Sequence, residues 1–125
     1  MPDYSPYKTR LEEQLRIIIA ELETIAIYDL VNDNWEAIPN QEEIASDADE
    51  NTSADFIEEW NQRRATVSDL EREYRDIKRA LNKIAAGTYG LCEVSGEPIE
   101  EKRLAARPDA RTCIAHMNEE GQLPL

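Results

Sequence analysis

The chain has 125 residues, with 27 Asp or Glu against 14 Lys or Arg, so its formal net charge is −13. Only 6% of the residues are aromatic and 33% are charged, which excludes a large α/β enzyme core and favours an elongated helical body beside a small folded unit. The sequence offers neither the roughly 20 apolar residues of a membrane span nor the basic start and apolar run of a secretory signal. We therefore expect a cytoplasmic protein without a membrane partner.

The first predicted helix begins at Ser5 and carries apolar residues at alternating steps of three and four. A second seam of the same kind starts after Trp60. Two helices joined by one connection run antiparallel, and one register pairs the two seams throughout. The pairs are Ile25 with Val67, Leu22 with Leu70, Ile18 with Tyr74, Leu15 with Ile77, and Leu11 with Leu81. The spacing predicts a long antiparallel coiled-coil hairpin over residues 1–86, with a first helix that reaches about Asn34.

The connection between the two seams is acidic. From Asp33 to Glu59 the sequence has ten acids and no base. Such a stretch repels nucleic acid phosphates, so we expect no direct binding to nucleic acid. It predicts an acidic tip of the hairpin at about residues 36–54, and a solvated loop is the alternative interpretation.

A small C-terminal domain is predicted over residues 87–125, because Gly87 ends the second helix. The domain has Cys92-x2-Ser95 and, after 17 further residues, Cys113-x2-His116. Two pairs at about this separation are typical of four-ligand zinc modules. A serine hydroxyl is a poor ligand beside thiolates and an imidazole. The predicted metal ligands are therefore Cys92, Cys113 and His116, with Ser95 at an incomplete fourth position.

This part of the chain resembles the TraR/DksA family of bacterial regulators. The resemblance is carried by Leu81-Asn82-Lys83-Ile84, Gly87-Thr88-Tyr89-Gly90, Cys92-Glu93, Gly96-Glu97-Pro98-Ile99, Arg103-Leu104-Ala105-Ala106-Arg107-Pro108 and Cys113. It implies a mainly α protein with a long antiparallel coiled-coil hairpin, a small zinc-finger-like base and a short C-terminal helix. It also implies a transcription regulator that is not an enzyme. Such a protein binds bacterial RNA polymerase and inserts its tip through the secondary channel toward the active centre.

Active members of the family carry a tip motif of the form Asp-x-x-Asp-x-Ala, and the resemblance assigns it to residues 49–54. Asp49 and Ala54 match the motif, whereas Thr52 stands at the second Asp. The residues assigned to the tip are Asp49, Thr52 and Ala54, with Asp47 and Glu50 as substitutes for the missing charge. Alternatively, Thr52 is the N-cap of the second helix and Asp49 is a solvated acid.

The resemblance also concerns two ligands. Some family members have degenerate fingers that fold without metal, so the sequence leaves a metal-free finger open beside a zinc site completed by water, Glu93 or Glu97. Alarmone-sensitive relatives carry basic residues at positions that align with Asp76, Arg107 and Met117. Only Arg107 keeps the charge, and a pyrophosphorylated nucleotide needs several cations. We therefore predict that the alarmone site is lost.

The sequence leaves two classes of function open. The first is a monomeric regulator of RNA polymerase. The second is a structural or adaptor coiled-coil protein whose acidic tip contacts a basic partner. No nucleophile and base constellation accompanies the finger residues, so catalysis is not predicted.

Overall fold

The structure is a computed structural model that describes residues 4–39 and 50–124, apart from the side chains of residues 50–53. In chain order its elements are helix α1 (Ser5–Ile25), strands β1 (Ala26–Asp29) and β2 (Asn34–Ala37), helix α2 (Glu50–Ala86), helix α3 (Glu101–Ala106) and a 3-10 helix (Ile114–Gln122). The described residues are thus mainly helical, as predicted, with one small antiparallel sheet. None of their helices combines the length and the apolar character that crossing a membrane requires.

Two predicted helix boundaries, the start of the first helix and the end of the second, agree with the structure. Helix α1 begins at Ser5, and α2 ends at Ala86, directly before Gly87. Gly87 has a φ of 79°, in the left-handed region that closes many helices. The Thr88 N–H then donates to the Lys83 carbonyl at 2.9 Å, which satisfies one of the free carbonyls of the last turn.

The first helix is shorter than predicted. It ends at Ile25 rather than near Asn34, and the chain continues as the antiparallel β-hairpin Ala26–Ala37. Asp29 explains part of the change, because its Oδ1 accepts the backbone N–H groups of Val31 and Asn32 at 2.9 and 3.3 Å. These bonds form a turn that competes with helical hydrogen bonding. The prediction of a continuous helix was therefore wrong beyond Ile25.

The two strands are held together by an aromatic pair. Tyr28 lies opposite Trp35 in the sheet, and their ring centroids are 5.3 Å apart. Cross-strand aromatic pairs stabilise two-stranded sheets that have few other contacts. Asp33 completes the turn with a φ of 51°, a conformation that Asp adopts more readily than most residues.

The chain divides into two compact units, of which the first is Ile18–Glu73. In this unit the β-hairpin packs on α2, since the Trp35 N–H donates to Glu71 Oε2 at 3.2 Å and Arg63 Nη1 donates to the Ile38 carbonyl at 3.2 Å. Its buried apolar side chains are Ile18, Leu22, Ala26, Trp35 and Val67. The register of the coiled-coil pairs stays a prediction, as does the division at residues 86 and 87.

The second unit comprises Met1–Ile17 and Tyr74–Leu125. Its apolar core is formed by Leu11, Tyr74, Ile77, Ala80, Tyr89, Cys92, Ile99, Leu104, Ala110 and Cys113. Tyr4 packs edge-on against Tyr89, with ring centroids 4.8 Å apart. A Cβ atom at Gly90 would lie 2.7 Å from the Tyr4 hydroxyl oxygen, so glycine is required for this close approach. The start of α1 is thereby joined to the segment that follows α2.

Candidate metal centre

The three predicted ligands lie together. The ligand atoms of Cys92, Cys113 and His116 are all within 4.8 Å of one another. His116 Nδ1 lies 3.2 Å from Cys113 Sγ and 4.0 Å from Cys92 Sγ. Tetrahedral zinc bonds of about 2.0 to 2.3 Å place ligand atoms roughly 3.5 to 4 Å apart. The spacing therefore fits one zinc ion held by two thiolates and an imidazole.

Local backbone geometry brings each ligand to the site. Cys92 begins a tight loop in which its N–H donates to the Glu97 carbonyl at 2.8 Å and its carbonyl accepts the Gly96 N–H at 2.9 Å. Gly96 has a φ of 75°, which suits glycine at this turn. Cys113 directly precedes the 3-10 helix, where residues three apart share one side. That geometry directs His116 toward the sulfur of Cys113.

Ser95 lies beside the sulfur of Cys92. Burial acts to raise the pKa of Cys92, but hydrogen bonds from the Ser95 hydroxyl and from nearby backbone N–H groups outweigh it and lower the pKa to about 6. A thiol of that pKa is mostly thiolate at neutral pH, the form that ligates metal. The Ser95 side chain thus lies beside the Cys92 sulfur, and it offers a neutral hydroxyl instead of a thiolate.

The two carboxylates considered as a fourth ligand do not join the site. Among the described residues, the cluster that could hold a metal contains only Cys92, Cys113 and His116. Glu93 instead pairs with basic side chains, since its carboxylate accepts hydrogen bonds from Arg111 Nε and from Lys83 Nζ, both at 2.7 Å. Neither of the carboxylates that the sequence offered as alternatives, Glu93 and Glu97, is thus part of this cluster. Of the alternatives that the sequence offers, a metal-free finger and a site completed by water are left.

A charged cluster surrounds the candidate metal centre. Arg111 is 7% exposed and also donates through Nη2 to Glu93 Oε1 at 2.9 Å, so the pair is bidentate. Hydrogen bonds from Arg111, together with Lys83, outweigh burial and lower the pKa of Glu93 to about 2. Lys83 lies near the end of α2. Glu93 therefore links α2 to the chain around residue 111.

Glu120 forms a second charged link. Its Oε2 accepts Arg103 Nη2 at 2.7 Å, and its Oε1 accepts the Arg111 N–H. Arg103 also donates through Nε to the carbonyl of the buried Thr112 at 2.7 Å. The 3-10 helix, α3 and the loop between them are thus joined by side-chain hydrogen bonds. Sequence reasoning missed these partners, which lie 9 to 17 residues apart and follow no periodic pattern.

The predicted alarmone positions lie in an acidic environment. Arg107 Nη2 is 3.4 Å from Asp109 Oδ2, and Arg107 Nη1 is 3.8 Å from Glu120 Oε2. Asp76 accepts Arg79 Nη1 at 2.9 Å, and burial is the main cause that raises the pKa of Asp76. Met117 is exposed. The negative charges of these carboxylates offset the positive potential of Arg107, so an incoming phosphate is attracted less strongly.

The predicted tip residues are described only in part. Ala54 is exposed on α2. Glu50 and Thr52 belong to the first turn of α2, and their side chains lie outside the described residues, as do Asp47 and Asp49 altogether. Since α2 begins at Glu50, Thr52 lies inside the helix rather than at its N-cap position, whereas the interpretation of Asp49 as a solvated acid lies outside the described residues.

Comparisons with known proteins agree with this site. The family model of the prokaryotic DksA/TraR C4-type zinc finger matches residues 87–115. YteA, an uncharacterized protein of Bacillus subtilis, is 47% identical over 51 residues, which are 40% of this chain and 21% of that protein. The RNA polymerase-binding transcription factor DksA of Caulobacter vibrioides is 47% identical over 38 residues, 30% of this chain and 27% of that protein. The chain thus spans less than a third of the length of these two curated relatives.

The fold also has a known counterpart. The structure of transcription factor DksA2 from Pseudomonas aeruginosa superposes with a TM-score of 0.71 and covers 98% of this chain and 92% of that one, at 21% identity. At that identity the likeness shows the fold alone. A C4-type finger has four cysteines, and here Ser95 and His116 stand in the two Cys-x2 pairs where the second cysteines would be. The finger segment, residues 87–115, thus matches the DksA/TraR zinc-finger family, and the fold is similar to that of DksA2.

Proposed function

We propose that this protein is a transcription regulator that binds bacterial RNA polymerase. The observation that carries the proposal is the presence, in one chain, of the DksA/TraR finger at residues 87–115 and of a fold similar to DksA2. One relative with a matching segment is named as an RNA polymerase-binding transcription factor. The candidate metal centre supports a structural role, because an ion bound by Cys92, Cys113 and His116 would join the Cys92 loop to the 3-10 helix.

We further propose that α1 and α2 form an antiparallel coiled coil whose acidic tip enters the secondary channel of the polymerase. Helix α2 has 37 residues, which is about 55 Å of helix. Residues 1–62 carry 16 acids and 3 bases, so the tip region repels nucleic acid and attracts cationic protein groups. Asp49 is the acting carboxylate in this proposal, and the protein acts as a cytoplasmic monomer that does not touch DNA.

Zinc has a supporting role in the proposal. A bound zinc ion would link the Cys92 loop to the 3-10 helix and would add to the stability of the finger. The residues around it already form links of their own, through Glu93 with Arg111 and through Glu120 with Arg103. The finger therefore keeps its shape when the three-ligand site is only partly loaded. Because Arg107 is surrounded by carboxylates, we propose that alarmone has little effect on this protein.

The proposal is tested with purified core RNA polymerase and a promoter-directed transcription assay. We expect the wild type to bind core polymerase. Asp49→Asn should remove the effect on transcription and keep the binding, since most of the contact belongs to the rest of the chain. Asp69→Asn is the matched control, because Asp69 is an exposed acid on α2. Wild-type protein that does not bind core polymerase would contradict the proposal and favour an adaptor coiled coil with a basic partner.

A further inference from the structure

The β-hairpin Ala26–Ala37 carries an apolar turn that the packing of residues 4–39 and 50–124 leaves exposed. We call Leu30 and Val31 the apolar turn. They are 84% and 92% exposed, the highest values among the large apolar side chains of the described residues. Turn positions open to water are usually polar, and adjacent exposed apolar side chains mark interaction sites more often than single ones do.

The apolar turn is held in one shape by the residues around it. The carboxylate of Asp29 accepts three hydrogen bonds, from the backbone N–H groups of Val31 and Asn32 and from Asn32 Nδ2 at 2.8 Å. The Tyr28 hydroxyl donates to Asp33 across the base of the turn. A turn fixed in this way loses little conformational entropy when a partner binds. The turn is therefore well suited to enter a pocket on another molecule.

Charge around the apolar turn limits the chemistry of that partner. The β-hairpin contains Asp29, Asp33 and Glu36 and has no Lys, Arg or His. With a net charge of −13, two copies of the chain repel each other, and so do the chain and a nucleic acid or an anionic membrane. A protein pocket with an apolar floor and a rim of Lys or Arg is complementary to the turn in both respects.

We propose that the apolar turn docks into an apolar pocket with a basic rim on core RNA polymerase. The proposal rests on the proposed function, because it takes polymerase as the partner. It goes beyond that function because it assigns binding energy to Leu30 and Val31, separately from any acidic tip. Each side chain would be buried fully on binding, and buried apolar anchors carry much of the energy of an interface.

The test measures the affinity of full-length variants for purified core polymerase. Leu30→Ser with Val31→Ser removes the apolar turn, whereas Leu30→Met with Val31→Ile keeps it apolar. Ile57→Ser is the matched control, because Ile57 is an apolar side chain on α2 that is 58% exposed. We expect the serine variant to bind about tenfold more weakly than the wild type. The apolar variant and Ile57→Ser should bind as the wild type does.

Two further measurements separate docking from misfolding and from charge effects. Trp35 is buried beneath the β-hairpin, so its fluorescence in a Trp60→Phe background reports whether the hairpin persists in each variant. Glu36→Gln removes an exposed acid of β2 and should reduce the dependence of the affinity on salt. An affinity that does not depend on salt would contradict a basic rim.

The outcomes distinguish the two proposals. If the wild type binds polymerase and the folded serine variant binds equally well, docking of the apolar turn is wrong and the proposed function stands. If the wild type does not bind, both are wrong. If sedimentation shows wild-type dimers that the serine variant cannot form, a second copy occupies the turn and the polymerase pocket is overturned.

Discussion

The finger, residues 87–124, and the β-hairpin Ala26–Ala37 both hold short non-helical segments in a fixed shape, and they do so with different chemistry. In the finger, Glu93 and Glu120 accept hydrogen bonds from Arg111, Arg103 and Lys83 around three candidate metal ligands. In the β-hairpin, a buried tryptophan pairs with a tyrosine, and one Asp organises the turn. The contrast teaches that the finger combines charged cross-links with its candidate metal ligands, whereas the β-hairpin depends on an aromatic pair and one carboxylate.

The largest effect is expected from Ser95→Cys, which would supply the missing fourth ligand of a closed Cys3His site. Four-ligand structural zinc sites bind with about 10 to 16 kcal/mol, so the variant should keep one zinc per chain after dialysis against a chelator. Wild-type protein should lose most of its zinc. Elemental analysis decides the outcome, with Ser68→Cys on the exposed face of α2 as the control. A wild type that retains one zinc per chain would contradict this prediction.

Trp35→Ala should have the next largest effect and should act on the β-hairpin. Trp35 is buried, and removing such a side chain costs about 3 to 5 kcal/mol of unfolding free energy. Because the lost contacts are apolar, the loss should be the same at low and high salt. Urea unfolding at two salt concentrations measures it. Trp60→Phe, which keeps an aromatic ring on α2, is the control.

Arg111→Met should destabilise the finger by about 3 kcal/mol, since it leaves Glu93 half paired and removes a buried bidentate ion pair. In contrast to Trp35→Ala, the effect should shrink in high salt where Lys83 and solvent ions screen Glu93. Urea unfolding again provides the measurement. Arg72→Met, at an exposed position of α2, should change stability by no more than about 0.5 kcal/mol. If Arg111→Met and Trp35→Ala showed the same dependence of stability on salt, the contrast between the finger and the β-hairpin would be wrong.

The smallest expected effect is the change in stability with pH that depends on Glu93. The pKa of Glu93 is lowered to about 2 from 4.5, so its ionised form stabilises the folded state above about pH 4.5 and that contribution is lost as the pH falls toward about 2. The side chain is 25% exposed, so we expect about 1 to 2 kcal/mol after solvent screening. Glu93→Gln should therefore differ from the wild type at about pH 6 and much less at about pH 3.

The heptad periodicity after Ser5 and the glycine at position 87 were sufficient to predict where α1 begins and where α2 ends. They failed after Ile25 because the next positions of the seam, Asp29 and Asn32, are polar and offered no apolar support for a longer helix. The turn chemistry of Asp29 and the aromatic residues Tyr28 and Trp35 were the signals for a β-hairpin, and the helical interpretation passed over them.

The candidate metal centre was more predictable than its surroundings. Two Cys-x2 pairs specify their ligands by spacing alone, and the structure brings Cys92, Cys113 and His116 together. The partners of Glu93 and Glu120 could not be predicted in this way. A charged residue has many candidate partners in a sequence with 27 acids and 14 bases, and only the folded backbone selects among them.

The contact between Tyr4 and Tyr89 has a consequence for the folding of the chain during its synthesis on the ribosome. These rings lie 85 positions apart along the chain, and their unit combines Met1–Ile17 with Tyr74–Leu125. Closing so long a loop costs entropy before any contact rewards it. Ile18–Glu73 is continuous, so it can fold while synthesis proceeds, whereas Tyr4 and Tyr7 cannot meet Tyr89 until that residue has left the exit tunnel. During that interval the rings of Tyr4 and Tyr7 lack the aromatic partner that they have in the folded unit.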